Sequence, residues 1–253
     1  MEPNALADRL WVSRRGGDAF PAWLNGLSLG EAHAVQLRLL ARHVAAGETL
    51  AGWKVGLTSP RARTLLGVDE RPFGFVLASR VFRAGAQLSA EALRAPSIEP
   101  ELCFTIGRRL NGADIDREEV TAGLARVAAG FEINERRAGS ARPDFAALVT
   151  DCLTQWGIVE GGGVEASKLA DLNAVRCTLL RDGEKVYEGV SRDELDPHVE
   201  SLRRLVAALA PHGLGLEPGQ KVITGAFARF DAAPGTRWRA IYHDVGEVEA
   251  SFS

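Results

Sequence analysis

The periodicity of the chain changes character near residue 50, and that change limits the folds open to it. Before it, "LSLGEAHAVQLRLLARHVAAGE" places Ala32, Val35, Leu39 and Leu40 on one stripe at helical spacing, with Val44 extending it. Ser28 and Glu31, three residues apart, form a capping-box pattern at the start of this helix, and Gly47 closes it. His33 and His43 fall within it and read as packing or surface residues. After residue 50 come short runs rich in β-branched and aromatic residues, bounded by Gly or Pro: "GWKVGL", "FGFVLA", "ELCFTIG" and "KVITGAF". "VRCTLLRDGEKVYEGV" predicts a hairpin turning at Asp182-Gly183, and "RWRAIYHDVGEVEASFS" a second turning near Gly246. Helices are expected at "DREEVTAGLARVAAG" and "HVESLRRLVAALAPHG". Strands and helices do not alternate regularly, so the pattern predicts an α+β fold rather than a doubly wound parallel sheet. The expected organisation is one domain over 1–253, with a helical portion over 1–50 and a β-rich portion over 51–253.

Composition excludes several classes. The chain has 253 residues and a net charge of −3, with acids and bases interspersed, so no basic block points to nucleic acid and no acidic tail to disorder. Its three cysteines, Cys103, Cys152 and Cys177, are widely spaced with no C-x-x-C, which fits a reducing compartment and gives no disulfide or zinc signature. The first twenty residues lack the apolar core of a signal peptide, and no run approaches the roughly 18 apolar residues of a membrane span. A cytoplasmic location is expected.

The chemistry concentrates in "APSIEPELCFTIGRRL". Side chains at i and i+2 of a strand share a face, so Glu99 and Glu101 project together and Pro100 turns the other way. A proline is tolerated there only at an edge, a bulge or a strand start. Two buried carboxylates cannot both stay ionised without compensation. Either both lie on a solvent face, or they share a hard divalent cation such as Mg²⁺. Glu132 in "VAAGFEINERRAGS" offers a third carboxylate, and three would leave coordination positions for a bidentate 2-oxo acid. Lys54 stands in the middle of the apolar strand "GWKVGLTSP". It is either an exposed strand lysine or a buried cation in need of an anion, for which a substrate carboxylate is one candidate.

In this order and at roughly this spacing, "GWKVGLTSP", "GVDERPFG", "IEPEL", "AAGFEINERR", "DCLTQWGIVEGG" and "LEPGQKVITGAF" resemble one family. It is the 2-oxo-4-pentenoate hydratase and 4-oxalocrotonate decarboxylase family of the fumarylacetoacetate hydrolase superfamily, and the resemblance runs from about residue 27 to 252. It implies a mixed β-roll with helices packed outside and an N-terminal helical portion. It also implies that Glu99, Glu101 and Glu132 bind Mg²⁺ or Mn²⁺ and that Lys54 sits at the substrate. Arg137 matches an arginine following the third ligand, and Thr224 and Gly225 match a T-G turn lining the cleft. The activity implied is that of a lyase on a small 2-oxo acid from aromatic-ring catabolism, in a homo-oligomer that can associate with a related subunit.

Three departures bear on the reaction. Hydratases of this family usually carry an acid just before the F-G or Y-G pair, where "ERPFG" has Pro72. They tend to read V-D-S-R after the third glutamate, where this chain has "INERR". Their D-N-A-S-S becomes "DCLTQ", which keeps only Asp151. Glu70, Glu135 and Asp151 are the substitutes to consider for the missing acid. The resemblance implies metal-assisted enolisation, after which water adds, CO₂ leaves or a C–C bond is cleaved according to where a general acid or base stands. The alternatives are therefore a C–C hydrolase of an acylpyruvate and a partner subunit with little activity.

Overall fold

The computed structural model describes residues 2–18, 21–137 and 143–253. Its helices are α1 (Pro3–Arg15), α2 (Leu29–Ala45), α3 (Pro60–Leu66), α4 (Arg117–Ala122), α5 (Phe145–Thr150), α6 (Ser191–Glu194) and α7 (His198–Leu209). Its strands are β1 (Leu50–Val55), β2 (Phe73–Leu77), β3 (Val81–Arg83), β4 (Ala86–Leu88), β5 (Pro96–Ile106), β6 (Leu124–Glu135) and β7 (Gln155–Glu165). They continue with β8 (Arg176–Arg181), β9 (Glu184–Val190), β10 (Lys221–Ala226), β11 (Phe230–Asp231), β12 (Arg237–Tyr242) and β13 (Gly246–Phe252). One sheet runs β2-β1-β10-β5-β6-β7-β3 with β11 also on β5, and a second runs β4-β13-β12-β8-β9. Parallel pairs (β1 with β10, β3 with β7, β4 with β13) occur among antiparallel ones, which makes the architecture mixed as expected. The sheets meet where the buried Tyr242 hydroxyl of β12 donates to the Gly130 carbonyl of β6 at 2.9 Å.

The N-terminal portion follows its sequence signals closely. The Ser28 hydroxyl accepts from the Glu31 N–H while the Glu31 carboxylate accepts from the Ser28 N–H, the reciprocal bonds of a capping box. Ala32, Val35 and Leu39 are fully buried, and Leu40 nearly so. Val44 is not on that stripe: it is half exposed, a turn beyond the last buried residue. His33 packs by stacking on Phe73 of β2, with ring centroids 3.9 Å apart. Burial, with the nearby His212, pushes its pKa down to about 4.

Both hairpins form. Asp182 (φ 52°) and Gly183 (φ 88°) adopt the left-handed pair that a two-residue turn matching strand twist requires, and β8 pairs with β9 across them. The second turn spans His243–Val245, with Asp244 at φ 64° and Gly246 opening β13 opposite Tyr242. The helix expected over 116–130 is a correction. Asp116 caps α4 through Glu119, but the helix ends at Ala122 and the chain continues as β6. "ARVAAG" has helical composition, yet it lies between β5 and β7, where a Cβ on Gly163 of β7 would come within 2.7 Å of Ala128. Small residues stand there because neighbouring strands approach closely, and that contact overrides local helix propensity. Among the described residues no helix is long and apolar enough to cross a membrane.

Candidate metal centre and active cleft

Strand β5 carries Glu99 and Glu101 on one face, and its antiparallel register with β6 sets Glu99 directly opposite Glu132. Side chains of directly opposed residues lie close together, so the third carboxylate joins the other two on the same face. One carboxylate oxygen from each lies within 4.8 Å of the others. Glu101 and Glu132 are buried, and Glu99 is 9% exposed. Pro100 is accommodated inside the sheet by an irregularity: β10 shifts register between Ile223 and Ala226 opposite this stretch. The Pro100 carbonyl accepts from the Phe227 N–H at 3.0 Å just beyond.

The charges around this cluster are arranged to hold it together. Lys54 is buried on β1, and its Nζ donates to Glu132 Oε1 at 2.5 Å. Burial pulls the Lys54 pKa down, but Glu132, Glu99 and Glu101 outweigh it and leave the ammonium above its ordinary value. Burial and the Glu132 charge push Glu99 up to about 7, against the pull of Arg229 and Lys54. Glu101 is raised well above the ordinary carboxylate value, first by burial and then by Glu132 and Glu99. Glu101 also accepts from the Gly225 N–H at 2.7 Å, and Arg229 stands 3.3 Å from Glu99.

These residues open onto a cleft of about 940 Å³, also lined by Asn134, Arg137, Asp151 and Gly225. Asp151 is clamped between two guanidiniums, Arg137 at 2.7 Å and Arg14 at 3.4 Å; these are ion-pair contacts rather than aligned hydrogen bonds. Thr224 is buried just behind the cleft lining, where its hydroxyl meets Nδ1 of the buried His198 at 2.8 Å. Glu135 is not brought to the cleft: three residues from Glu132 on β6, it faces a separate cavity and accepts from the Arg94 N–H at 3.3 Å. Glu70 is likewise absent from the lining, and its carboxylate accepts from the neighbouring Asp69 N–H at 3.1 Å. Pro72 is buried and does not line the cleft; its carbonyl accepts from the Gly56 N–H at 2.7 Å and ties the end of β1 to the start of β2.

Asn134, Thr58 and Arg229 also line the cleft without having been expected. Asn134 is 1% exposed, accepts from Thr154 Oγ1 at 3.0 Å, and leaves its buried Nδ2 without a partner. The i, i+2 rule that paired Glu99 with Glu101 applies equally to Glu132 and Asn134, so this residue had a legible signal. Thr58 had a weaker one inside "GLTSP", and its Oγ1 is also buried and unpartnered. Arg229 had none, because its approach to Glu99 depends on the irregular stretch between β10 and β11.

Gly225 shows why a glycine is required here. Its φ is +122°, and a Cβ would sit 1.7 Å from Thr58 Oγ1. We expect Gly225→Ala to displace Thr58 and break the hydrogen bond that aims Glu101. Supporting hydrogen bonds of this kind are worth about 10- to 100-fold in metal affinity. Mn²⁺ titration followed by electron paramagnetic resonance should show that loss, and an unchanged affinity would refute the positioning role.

No family model matches the chain. Among curated proteins, 2-keto-4-pentenoate hydratase of Paraburkholderia phymatum is 29% identical over 224 residues, covering 88% of this chain and 85% of that protein. 4-Oxalocrotonate decarboxylase of a Pseudomonas species is 25% identical over 254 residues, with 99% and 98% covered. 2-Oxo-hept-4-ene-1,7-dioate hydratase of Escherichia coli is 25% identical over 233 residues, with 89% and 87% covered. Among solved structures, 4-oxalocrotonate decarboxylase from Pseudomonas putida G7, complexed with magnesium and adipate, superposes with a TM-score of 0.92 at 24% identity, covering 99% and 97% of the two chains. Fumarylpyruvate hydrolase from Pseudomonas aeruginosa, in complex with Mn²⁺ and pyruvate, gives 0.60 at 20%, covering 79% and 88%.

Proposed function

We propose, from the premise that the chain is a relative of the 2-oxo-4-pentenoate hydratase and 4-oxalocrotonate decarboxylase family, that it is a divalent-metal-dependent lyase acting on a small 2-oxo acid. The observation that carries this reading is the convergence of Glu99, Glu101 and Glu132 on one cleft beside the buried Lys54. Three carboxylate oxygens form a hard donor set suited to Mg²⁺ or Mn²⁺. The raised pKa values of Glu99 and Glu101 mark a cluster short of positive charge, so the residues fit such a cation. When bound there, the cation supplies Lewis-acid polarisation of a keto group.

The chain's own residues do the rest. Gly225 N–H and Lys54 Nζ hold Glu101 and Glu132 in place, so the ligands are aimed before a substrate arrives. Lys54 is the cation beside the cluster and is assigned the substrate carboxylate, a role it shares with Arg137, which lines the same cleft. Asn134 offers a free amide donor for a substrate oxygen. Asp151 is the carboxylate assigned to moving the proton, because among the catalytic acids expected from sequence it alone lines the cleft away from the cluster. Hydrolases of the superfamily often use a His–Glu pair, and among the described lining residues there is no histidine, which disfavours that alternative. We take the whole chain as one catalytic unit that forms a homo-oligomer.

Product analysis of a panel of 2-oxo-alkenoates and acylpyruvates with Mg²⁺ tests the assignment. The expected result is metal-dependent decarboxylation or ketonisation of the alkenoates. Exclusive cleavage of the acylpyruvates would reassign the protein as a hydrolase, and no turnover of either class would reduce it to a binding subunit. Hydration of 2-hydroxypenta-2,4-dienoate should be poor. Pro72 stands where hydratases usually carry an acid, and losing a positioned acid or base costs about 10²- to 10⁴-fold. Efficient hydration by the wild type would show that Pro72 does not mark a missing acid.

A further inference from the structure

Arg137 also lines a second cavity, of about 560 Å³, between α1, the end of α2 and the sheet. Four arginines face it (Arg14, Arg15, Arg80 and Arg137) against two glutamates, Glu48 and Glu135. Both acids already accept bonds from residues outside the lining: Glu48 from Ser79 Oγ at 2.8 Å, Glu135 from the Arg94 N–H. The donors are only partly satisfied: Arg137 and Arg14 reach Asp151 of the neighbouring cleft at 2.7 and 3.4 Å as ion-pair contacts, without aligned hydrogen bonds. Among the described residues, Arg137 (5% exposed) finds no hydrogen-bond partner for its buried Nη1, and Gln155 (6% exposed) finds none for its buried Nε2. Nε2 of His43 is also buried and unpartnered, and Nη1 of Arg14 reaches only Asp151, without a hydrogen bond. Burial, then the Arg14 charge, pushes the His43 pKa down to about 4, so its ring is neutral at ordinary pH and offers one N–H. Buried donors are nearly always satisfied in folded proteins. Here several converge on one space, and the missing partner is an acceptor.

We propose that this cavity binds a small oxyanion, a carboxylate or phosphate group, held by the guanidiniums of Arg137, Arg14 and Arg80 and the amide of Gln155. Guanidinium forks grip such oxygens two at a time, and the positive balance of the walls attracts the charge. Among the described residues the cavity shares only Arg137 with the metal cleft, whose three glutamates repel anions unless a cation is present. Arg80 lies over the Trp156 ring at 4.1 Å, so occupancy should alter tryptophan emission.

The test titrates the full-length protein, metal-free and Mg²⁺-loaded in parallel, with sodium phosphate and, separately, sodium succinate, at ionic strength held constant with chloride; binding to the cavity is the part that needs no Mg²⁺. Tryptophan fluorescence and melting temperature are followed together. We expect saturable binding of at least one anion, and the comparison tells phosphate from carboxylate. Arg80→Met and Gln155→Leu should each weaken it by about 10-fold or more, the usual effect of losing a charge-assisted or buried hydrogen bond. Glu101→Gln, which alters only the cleft, should leave it unchanged. Binding that survives both cavity variants but disappears in Glu101→Gln would place the anion on the metal and overturn the proposal. Absence of saturable binding by either anion would also overturn it. If one cavity variant fails to fold, the other decides.

Discussion

Glu101→Gln is expected to abolish turnover and divalent-cation binding while raising the melting temperature of the metal-free protein. The amide keeps the shape of the side chain and can still accept from the Gly225 N–H, but it removes one of three converging negative charges. Metal affinity should fall by at least about 100-fold, more than for a supporting residue, because a direct ligand is lost. The gain in stability follows from proton linkage. Glu99 and Glu101 have raised pKa values in the folded protein, so the fold binds protons more tightly than the unfolded chain does. Their favourable contribution is complete below the ordinary carboxylate value of 4.5 and is lost as pH rises through the folded values. For Glu99, moving from 4.5 to about 7 corresponds to roughly 3 kcal/mol. Metal-free wild type should therefore lose melting temperature between about pH 5 and 8, and the Gln variant should lose less. Mg²⁺ should reverse the ranking, since only the wild type gains stability from the ion. Melting curves at several pH values, with and without Mg²⁺, decide the point. A variant that retains metal binding, or that is less stable than metal-free wild type at pH 8, would contradict it.

Lys54→Met is expected to lose nearly all activity and, in the metal-free protein, much of its stability. Sequence alone offers a substrate carboxylate as one candidate for the lysine's anion. The structure gives Lys54 a resident partner, the buried Glu132. Removing one member of a buried ion pair strands the other charge and typically costs about 3–5 kcal/mol. For a chain of this size that is a fall of roughly 10 °C. The loss should shrink with Mg²⁺ bound and at lower pH, because a cation or a proton can then neutralise the stranded carboxylate. Steady-state kinetics and melting curves together test this. Full activity in Lys54→Met would remove Lys54 from the site, whereas unchanged metal-free stability would show that Glu132 does not depend on it.

Local rules decided much of this protein from its sequence. The capping box at Ser28 and the turn at Asp182-Gly183 are short-range constructions whose hydrogen bonds and backbone angles lie within a few residues, and both formed as expected. The common face of Glu99 and Glu101 is also local, because strand geometry fixes i and i+2 together. Long-range contacts decided the rest. Glu132 joins the pair only because β5 and β6 align Glu99 with it, and a slip of one residue would have turned its carboxylate to the opposite face. The strand at 124–130 replaced an expected helix because its small side chains answer to adjacent strands rather than to their own propensity. Glu135, an odd number of residues from Glu132, faces away from the cleft by the same local alternation that pairs i with i+2, whereas Arg229 reached Glu99 from a segment more than a hundred residues away. Composition and spacing name the groups a chain has to work with. Which charges meet depends on strand register and burial, and these are set only when the sheets close.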